Sequence, residues 1–399
     1  MAIEFPIYLD HAATTPVAPA VLEAMLPYFT AHYGNPATLY SLGMEAREAV
    51  EQAREIVAET LNAAPEEIVF TSGGTESDNA AIRGVAELHR ESGGHFLTTP
   101  IEHHAVLEPF ETLARQGFEV EYLPVDADGR VDPDEVARRI RPETLLVSVM
   151  HANNEIGTVQ PVVEIGELCR ERRVLFHTDA VQTFGKLPLD VRAMRVDLLS
   201  LSAHKLYGPK GIGALYIRRG TRLARFHAGG EQEKGRRGGT LNVPGIVGLG
   251  KATELARETQ AEEAERLSTL RDRFFAQLPD ALPEATITGS RTERLPNNIH
   301  LCVEGVEGEP MLLALDAAGI CASAGSACTT GSTAPSHVLL ALGVPTERAR
   351  GALRLTLGAS TTAESLDYTL ETLGRIVADL RRLAGVERAP ILAAAEQNR

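Results

Sequence analysis

VLFHTDAVQ (174–182) and DLLSLSAHK (197–205) are two apolar runs that each end in residues able to do chemistry. Uninterrupted apolar runs of this length, rich in Val, Leu and Phe, read as strands buried on both faces of a sheet. Five more such runs flank them: Glu67–Phe70, His95–Thr98, Glu119–Leu123, Leu145–Met150 and Gly213–Ile217, beside Val174–His177 and Asp197–Leu201. Amphipathic stretches at Ser77–His89, Val106–Arg115 and Val162–Arg172 separate them. Alternation of this kind predicts an α/β fold whose seven-stranded, mostly parallel sheet is covered by helices. In such sheets ligands gather beyond the carboxyl ends of the strands, so Asp179, Gln182, His204 and Lys205 become candidates together.

A long helical pattern from Val243 to about Leu278 leads away from this unit, and Ala285–Thr288, Asn298–Val303, Met311–Ala317, Leu353–Leu357 and Ser365–Leu383 alternate strand and helix on a smaller scale. We expect a large domain over residues 15–260 and a smaller C-terminal α/β domain over 261–399, joined by residues 1–14. The segment CASAGSACTTGSTAPS (321–336) is small and polar, and is expected to be a mobile loop.

At 399 residues the chain has room for two domains, and 44% hydrophobic with 23% charged residues is ordinary globular composition. A net charge of −15 repels phosphate backbones and anionic lipid, which argues against nucleic acid or membrane as the main partner. Arg218, Arg219, Arg222 and Arg225 form the nearest approach to a basic patch and read as a solvated face. The four cysteines, Cys169, Cys302, Cys321 and Cys328, match neither a disulfide framework nor a zinc pattern, so no intrinsic metal is expected. Reduced thiols, an N-terminus without a leader pattern and no apolar run of about 18 residues predict a cytoplasmic protein.

Thr71-Ser-Gly-Gly-Thr75 follows a strand and opens a helix, the arrangement that presents backbone N–H groups to an anion, although a plain tight turn explains it equally well. Asp179 at a strand end serves either as a helix cap or as a ligand. Lys205 is more telling, because a lysine at the end of a buried strand is costly as a free cation and is accommodated when its amine is covalently engaged. A lysine with a carboxylate one strand away is what a pyridoxal 5'-phosphate site requires.

The chain resembles the cysteine desulfurases, class V members of the fold-type I pyridoxal-phosphate enzymes. The resemblance rests on YLDHAATTP, GNPAT, TSGGTESDN, IEHHAVLEP, HANNEIGTVQP, FHTDAVQ, SLSAHKLYGPKGIGALY, RRGGTLNVPGIVGLG, GSACTTG and LRLTLG, in the same order over nearly the whole chain. It implies that Lys205 carries the cofactor and that Gly74, Thr75, Ser202 and His204 hold its phosphate. Thr240 would reach the phosphate of the neighbouring subunit in a homodimer. Asp179 would pair with the ring nitrogen, Gln182 and Asn154 would lie on the phenolic side, and His103 would stack on the ring and relay a proton. His104 reads as structural. Asn35 and Arg354, with Asn154, would bind the substrate carboxylate, the arginine through its planar fork.

Cys328 decides among the reactions such a site allows. It sits in the polar loop, whereas Cys169 and Cys302 fall in helix and strand patterns and read as packing. The resemblance implies that L-cysteine is converted to alanine while Cys328 takes the sulfur as a persulfide. Seven residues on either side give that loop a reach of about 23 Å, enough to load at the cofactor and unload on a partner. The GSACTTG context resembles the long-loop branch, whose acceptor is an iron–sulfur scaffold or another sulfur carrier, and there Cys328 would meet a cluster only on that partner. A selenocysteine lyase or a class V aminotransferase is the alternative. Ala324 and Thr330 stand where many relatives carry serine, and Leu241 where many carry glutamate, which bears on partner choice more than on chemistry.

Overall fold

The computed structural model describes residues 3–324 and 335–385. Cys328 and most of the loop expected at 321–336 lie outside the described residues. A short strand, β1 (Ile7–Tyr8), precedes seven strands: β2 (Ile68–Thr71), β3 (His95–Thr98), β4 (Glu119–Tyr122), β5 (Thr144–Ser148), β6 (Leu175–Asp179), β7 (Leu198–Ser202) and β8 (Gly213–Ile217). These seven form one sheet in the order β2-β8-β7-β6-β5-β3-β4. Only β8 runs against its neighbours β2 and β7; every other pair is parallel. The expected α/β sheet is therefore present.

Side chains alternate across this sheet with the period of two that a pleated strand imposes. Val69, Phe96, Leu146, Leu198 and Leu215 face helices Gly74–Glu87 and His104–Arg115. Their neighbours Phe70, Leu97, Val147, Leu199 and Ala214 face the other layer, built from helices Ser41–Thr60, Val162–Arg172 and the start of Val243–Ala281. Both faces are covered, which is why these strands read as unbroken apolar runs.

The helix Val243–Ala281 links two cores. Its first part buries Ile246, Leu249 and Ala252 under the large sheet, and its last part buries Leu267, Leu270, Phe274 and Phe275 in a second cluster. That cluster surrounds a three-stranded antiparallel sheet of β9 (Ala285–Ile287), β10 (Asn298–Val303) and β12 (Ala352–Thr356), with β10 central. A further strand, β11 (Ile320–Cys321), pairs in parallel with β1. The N-terminal segment then crosses to β12, where Thr356 N–H donates to the Leu9 carbonyl and His11 N–H to the Thr356 carbonyl. This crossing carries residues 10–13 to the ends of β6 and β7. Among the described residues no helix is long and apolar enough to cross a membrane. Arg218, Arg219 and Arg225 are paired with Asp197, Glu66 and Glu231 rather than gathered into a free basic surface.

Candidate active site

Asp179 is the last residue of β6, and Lys205 ends a short 3-10 turn (Ala203–Lys205) directly after β7. Because β6 and β7 are adjacent and parallel, their carboxyl ends bring both side chains to one cavity of about 280 Å³. Gly74 and Thr75 of TSGGT, at the start of helix Gly74–Glu87, line it with Ser202 and His204. His103, Asn154, Gln182 and Arg354, also expected, line the same cavity. Gly73 caps the helix at φ 150°, and a Cβ on Gly74 would lie 2.6 Å from Val181 Cγ2, so this corner admits only a bare backbone. A first helical turn, whose N–H groups have no partner within the helix, closed in this way, fits a phosphate.

Charges in the cavity are shaped by burial. Asp179 is pushed up to about 6 by desolvation, an effect opposed by the Val181 N–H, which donates to Oδ1 over 2.8 Å, and by Lys205. Asp78, one turn into the helix from Gly74, also lines the cavity and is completely buried. Desolvation and the nearby Asp179 raise it well above the usual carboxylate range, so it is the protonated member of the pair. Beneath them His177 contacts Ser148 Oγ at 2.8 Å, Ser200 Oγ at 3.1 Å and Asp78 Oδ1 at 3.5 Å.

Lys205 Nζ donates to the Ala12 and Ala13 carbonyls at 2.5 and 2.6 Å, and Gln182 Nε2 donates to the same Ala12 carbonyl at 3.0 Å. His103 is the N-cap of helix His104–Arg115; its Nδ1 accepts from Ala105 N–H at 3.1 Å, which places its proton on Nε2. Burial, with Lys205, His104 and His337 nearby, pulls it down to about 4. Neutral at ordinary pH, it suits a ring-stacking, proton-relaying role. Arg354 in β12 is almost wholly buried and donates to Asp10 Oδ1 at 2.8 Å and to the Asn154 carbonyl at 2.9 Å.

The family pattern of the class-V aminotransferases matches residues 7–369. The cysteine desulfurase IscS of Clostridium botulinum (strain Hall) is 51% identical over 380 residues, 95% of this chain and 96% of its own length. This chain belongs to the class-V aminotransferases, among the cysteine desulfurases. Solved relatives agree: a NifS-like protein superimposes with a TM-score of 0.88 at 40% identity, covering 94% of this chain and all of its own. SspA in complex with cysteine does so with a TM-score of 0.78 at 40% identity, covering 88% and 98%.

Within this family frame two expected site residues stand apart from the cavity. Asn35 lines a different one, about 360 Å³, beside Arg54 and Glu233. Thr240 is exposed and lines neither of these two cavities. His104, read from the sequence as structural, does line the active cavity, its ring 4.9 Å from that of His337. Sequence reasoning also passed over Asp78, whose signal was its place four residues after Gly74, on the same helical face. Glu155 was missed as well; it lines the cavity and accepts from Ser336 Oγ at 2.5 Å.

Proposed function

We propose that this chain converts L-cysteine to L-alanine and passes the sulfur, through a persulfide on Cys328, to an acceptor protein such as an iron–sulfur scaffold. The observation that carries this is the convergence of Lys205, Asp179 and the Gly74–Thr75 helix start in one cavity with Arg354. Lys205 would hold pyridoxal 5'-phosphate covalently, Gly74, Thr75, Ser202 and His204 its phosphate, and Asp179 its ring nitrogen, with Gln182 and Asn154 on the phenolic side. Bound there, the cofactor supplies an electron sink for the substrate α-carbon. The freed Lys205 amine takes the α-proton, His103 relays protons, and Arg354 with Asn154 orients the substrate carboxylate, joined by Asn35.

The Cys328 thiolate attacks the substrate sulfur. An S–S bond forms, the C–S bond breaks with its electron pair staying on carbon, and protonation there leaves alanine. The three described cysteines are poorly suited to that role, since burial pushes the Cys169, Cys302 and Cys321 thiols up and keeps them protonated. The roots of the Cys328 segment lie at the cavity: Ser323 and Arg354 exchange backbone hydrogen bonds, and Ser336 is held by Glu155. The bound cysteine named for the SspA structure supports the choice of substrate.

The same reading makes the protein a cytoplasmic homodimer, with a large domain over 15–260 and a small one over 261–399 that includes residues 1–14. Leu22, Leu26, Phe29, Tyr33, Leu39, Tyr40 and Met44 are exposed apolar side chains within 23 residues of one another, a suitable seat for a second copy that would receive Thr240. The test is an alanine assay on purified protein given cysteine and pyridoxal phosphate, with borohydride trapping of the cofactor and light scattering on the same sample. Alanine release, a label on Lys205 and the mass of two chains are expected. A protein that stays colourless and makes no alanine contradicts the reading, and a single-chain mass contradicts the dimer.

A further inference from the structure

Lys186 lies seven residues beyond Asp179, in the turns that follow β6, within the otherwise apolar run TFGKLPL. Gly185 adopts φ 78°, and a Cβ there would crowd Leu206 and Ala256 at 3.1–3.2 Å, so the chain turns back sharply just before the lysine. The Lys186 ammonium then donates to two carbonyls, that of Gln182 at 3.2 Å and that of Lys205 itself at 3.0 Å. It thus ties the turn after β6 to the turn after β7. Both residues whose carbonyls it holds have side chains on the cavity.

We propose that Lys186 is a positioning residue for Lys205: it fixes the backbone of the lysine-bearing turn and, as a neighbouring cation, lowers the proton affinity of the Lys205 amine. The inference rests on the reading of Lys205 as the cofactor-bearing lysine. An amine held near a second ammonium is easier to deprotonate, because two like charges in a poorly solvated site repel. The competition is mutual: desolvation first, and then Lys205, pull Lys186 down to about 7, so the positive charge that acts on Lys205 is present below about that pH and fades above it. The other titratable groups facing this region are His204 on the Lys205 turn and His11 on the N-terminal segment, both of which feel Lys186, and Asp179 and His103 on the cavity, which feel Lys205. Glu263, from the long helix, acts on His11 and is itself neutralised by Arg266 at 2.7 Å, while Asp179 on the cavity acts on Lys205 in wild type and variants alike, so their comparison isolates the charge at Lys186.

Lys186 differs from a packing residue in a way that spectroscopy reads without turnover. Wild-type protein and the K186R, K186Q and K186M variants are loaded with pyridoxal phosphate, and the absorbance of the lysine-linked cofactor is titrated against pH without substrate. Borohydride reduction and peptide mass measurement establish the link at Lys205 in each. K186M and K186Q should titrate about one pH unit higher than wild type, a tenfold rise in proton affinity, while K186R, which keeps charge and reach, should restore the wild-type midpoint. A K186M or K186Q midpoint within about 0.2 units of wild type overturns the inference alone. K186Q serves where K186M does not fold. Wild-type protein that carries no cofactor on Lys205 overturns the reading of the site and this inference with it.

Discussion

Glu102 precedes His103 and shows what burial does to a single side chain next to this site. Completely buried, it accepts from Thr99 Oγ1 at 2.8 Å and Met150 N–H at 2.9 Å through Oε1, and desolvation pushes it up to about 8. The folded state therefore holds the Glu102 proton more tightly than the unfolded state, where a value near 4.5 applies. The stability it contributes is complete below about 4.5 and is lost as pH rises towards about 8, an effect of about 5 kcal/mol at most. Glu102→Gln keeps the accepting oxygen and removes the ionisation. Urea unfolding at several pH values between 4.5 and 8 should show the variant gaining on wild type as pH rises; parallel curves would contradict the assignment. At this scale the sequence was most legible where a costly residue ended an apolar strand, as with Lys205 and Asp179. Asp78 was passed over although its helical spacing from Gly74 signalled it, whereas Lys186 and Glu155 were illegible because their places depend on backbone turns that bring distant segments together. Thr240 and Asn35 owe their candidacy to resemblance, and nothing in one chain's cavity draws them in.

Among the elements, the strands of the large sheet were readable because burial on both faces leaves an unbroken apolar signature. β3, β8, β10 and helix Val162–Arg172 begin and end where the pattern placed them, the other expected strands differ by one or two residues at their ends, and the two-residue strands β1 and β11 had no counterpart in the pattern. Helix Ser41–Thr60 escaped notice: its buried face is largely alanine, with Ala46, Ala49, Ala53 and Ala58, and alternates with charged positions. What fixes this helix against the sheet is a buried ion pair. Arg54 makes a two-pronged contact with Glu233 at 2.7 and 2.8 Å and also donates to the Ile68 carbonyl, while Glu233 accepts the Phe70 N–H. Glu233→Ala would leave a strand N–H unpaired and the buried guanidinium with only the exposed Glu51 and the Ile68 carbonyl as partners, at a cost of about 3 kcal/mol. Arg54→Met paired with Glu233→Gln should recover much of that loss in thermal unfolding. A single Glu233→Ala variant as stable as wild type would show that the pair does not hold the helix.

At the scale of the whole molecule, the N-terminal segment and the long helix Val243–Ala281 connect the two cores, and both run past the active cavity. Residues 10–13 leave β12, pass Arg354 through Asp10, and offer the Ala12 and Ala13 carbonyls to Lys205. Lys205 and Arg354, from different cores, are thereby registered against each other by one strand of backbone. The central claim is that this assembly removes sulfur from cysteine and lodges it on Cys328. Its most direct measurement is peptide mass spectrometry of wild-type and Cys328→Ala protein, each loaded with pyridoxal phosphate and exposed to cysteine, with alanine counted in parallel. One extra sulfur on the wild-type peptide containing Cys328, with alanine release abolished in the variant while its cofactor stays on Lys205, is the predicted result. Sulfur on Cys321 instead, or full alanine turnover by Cys328→Ala, would contradict the account.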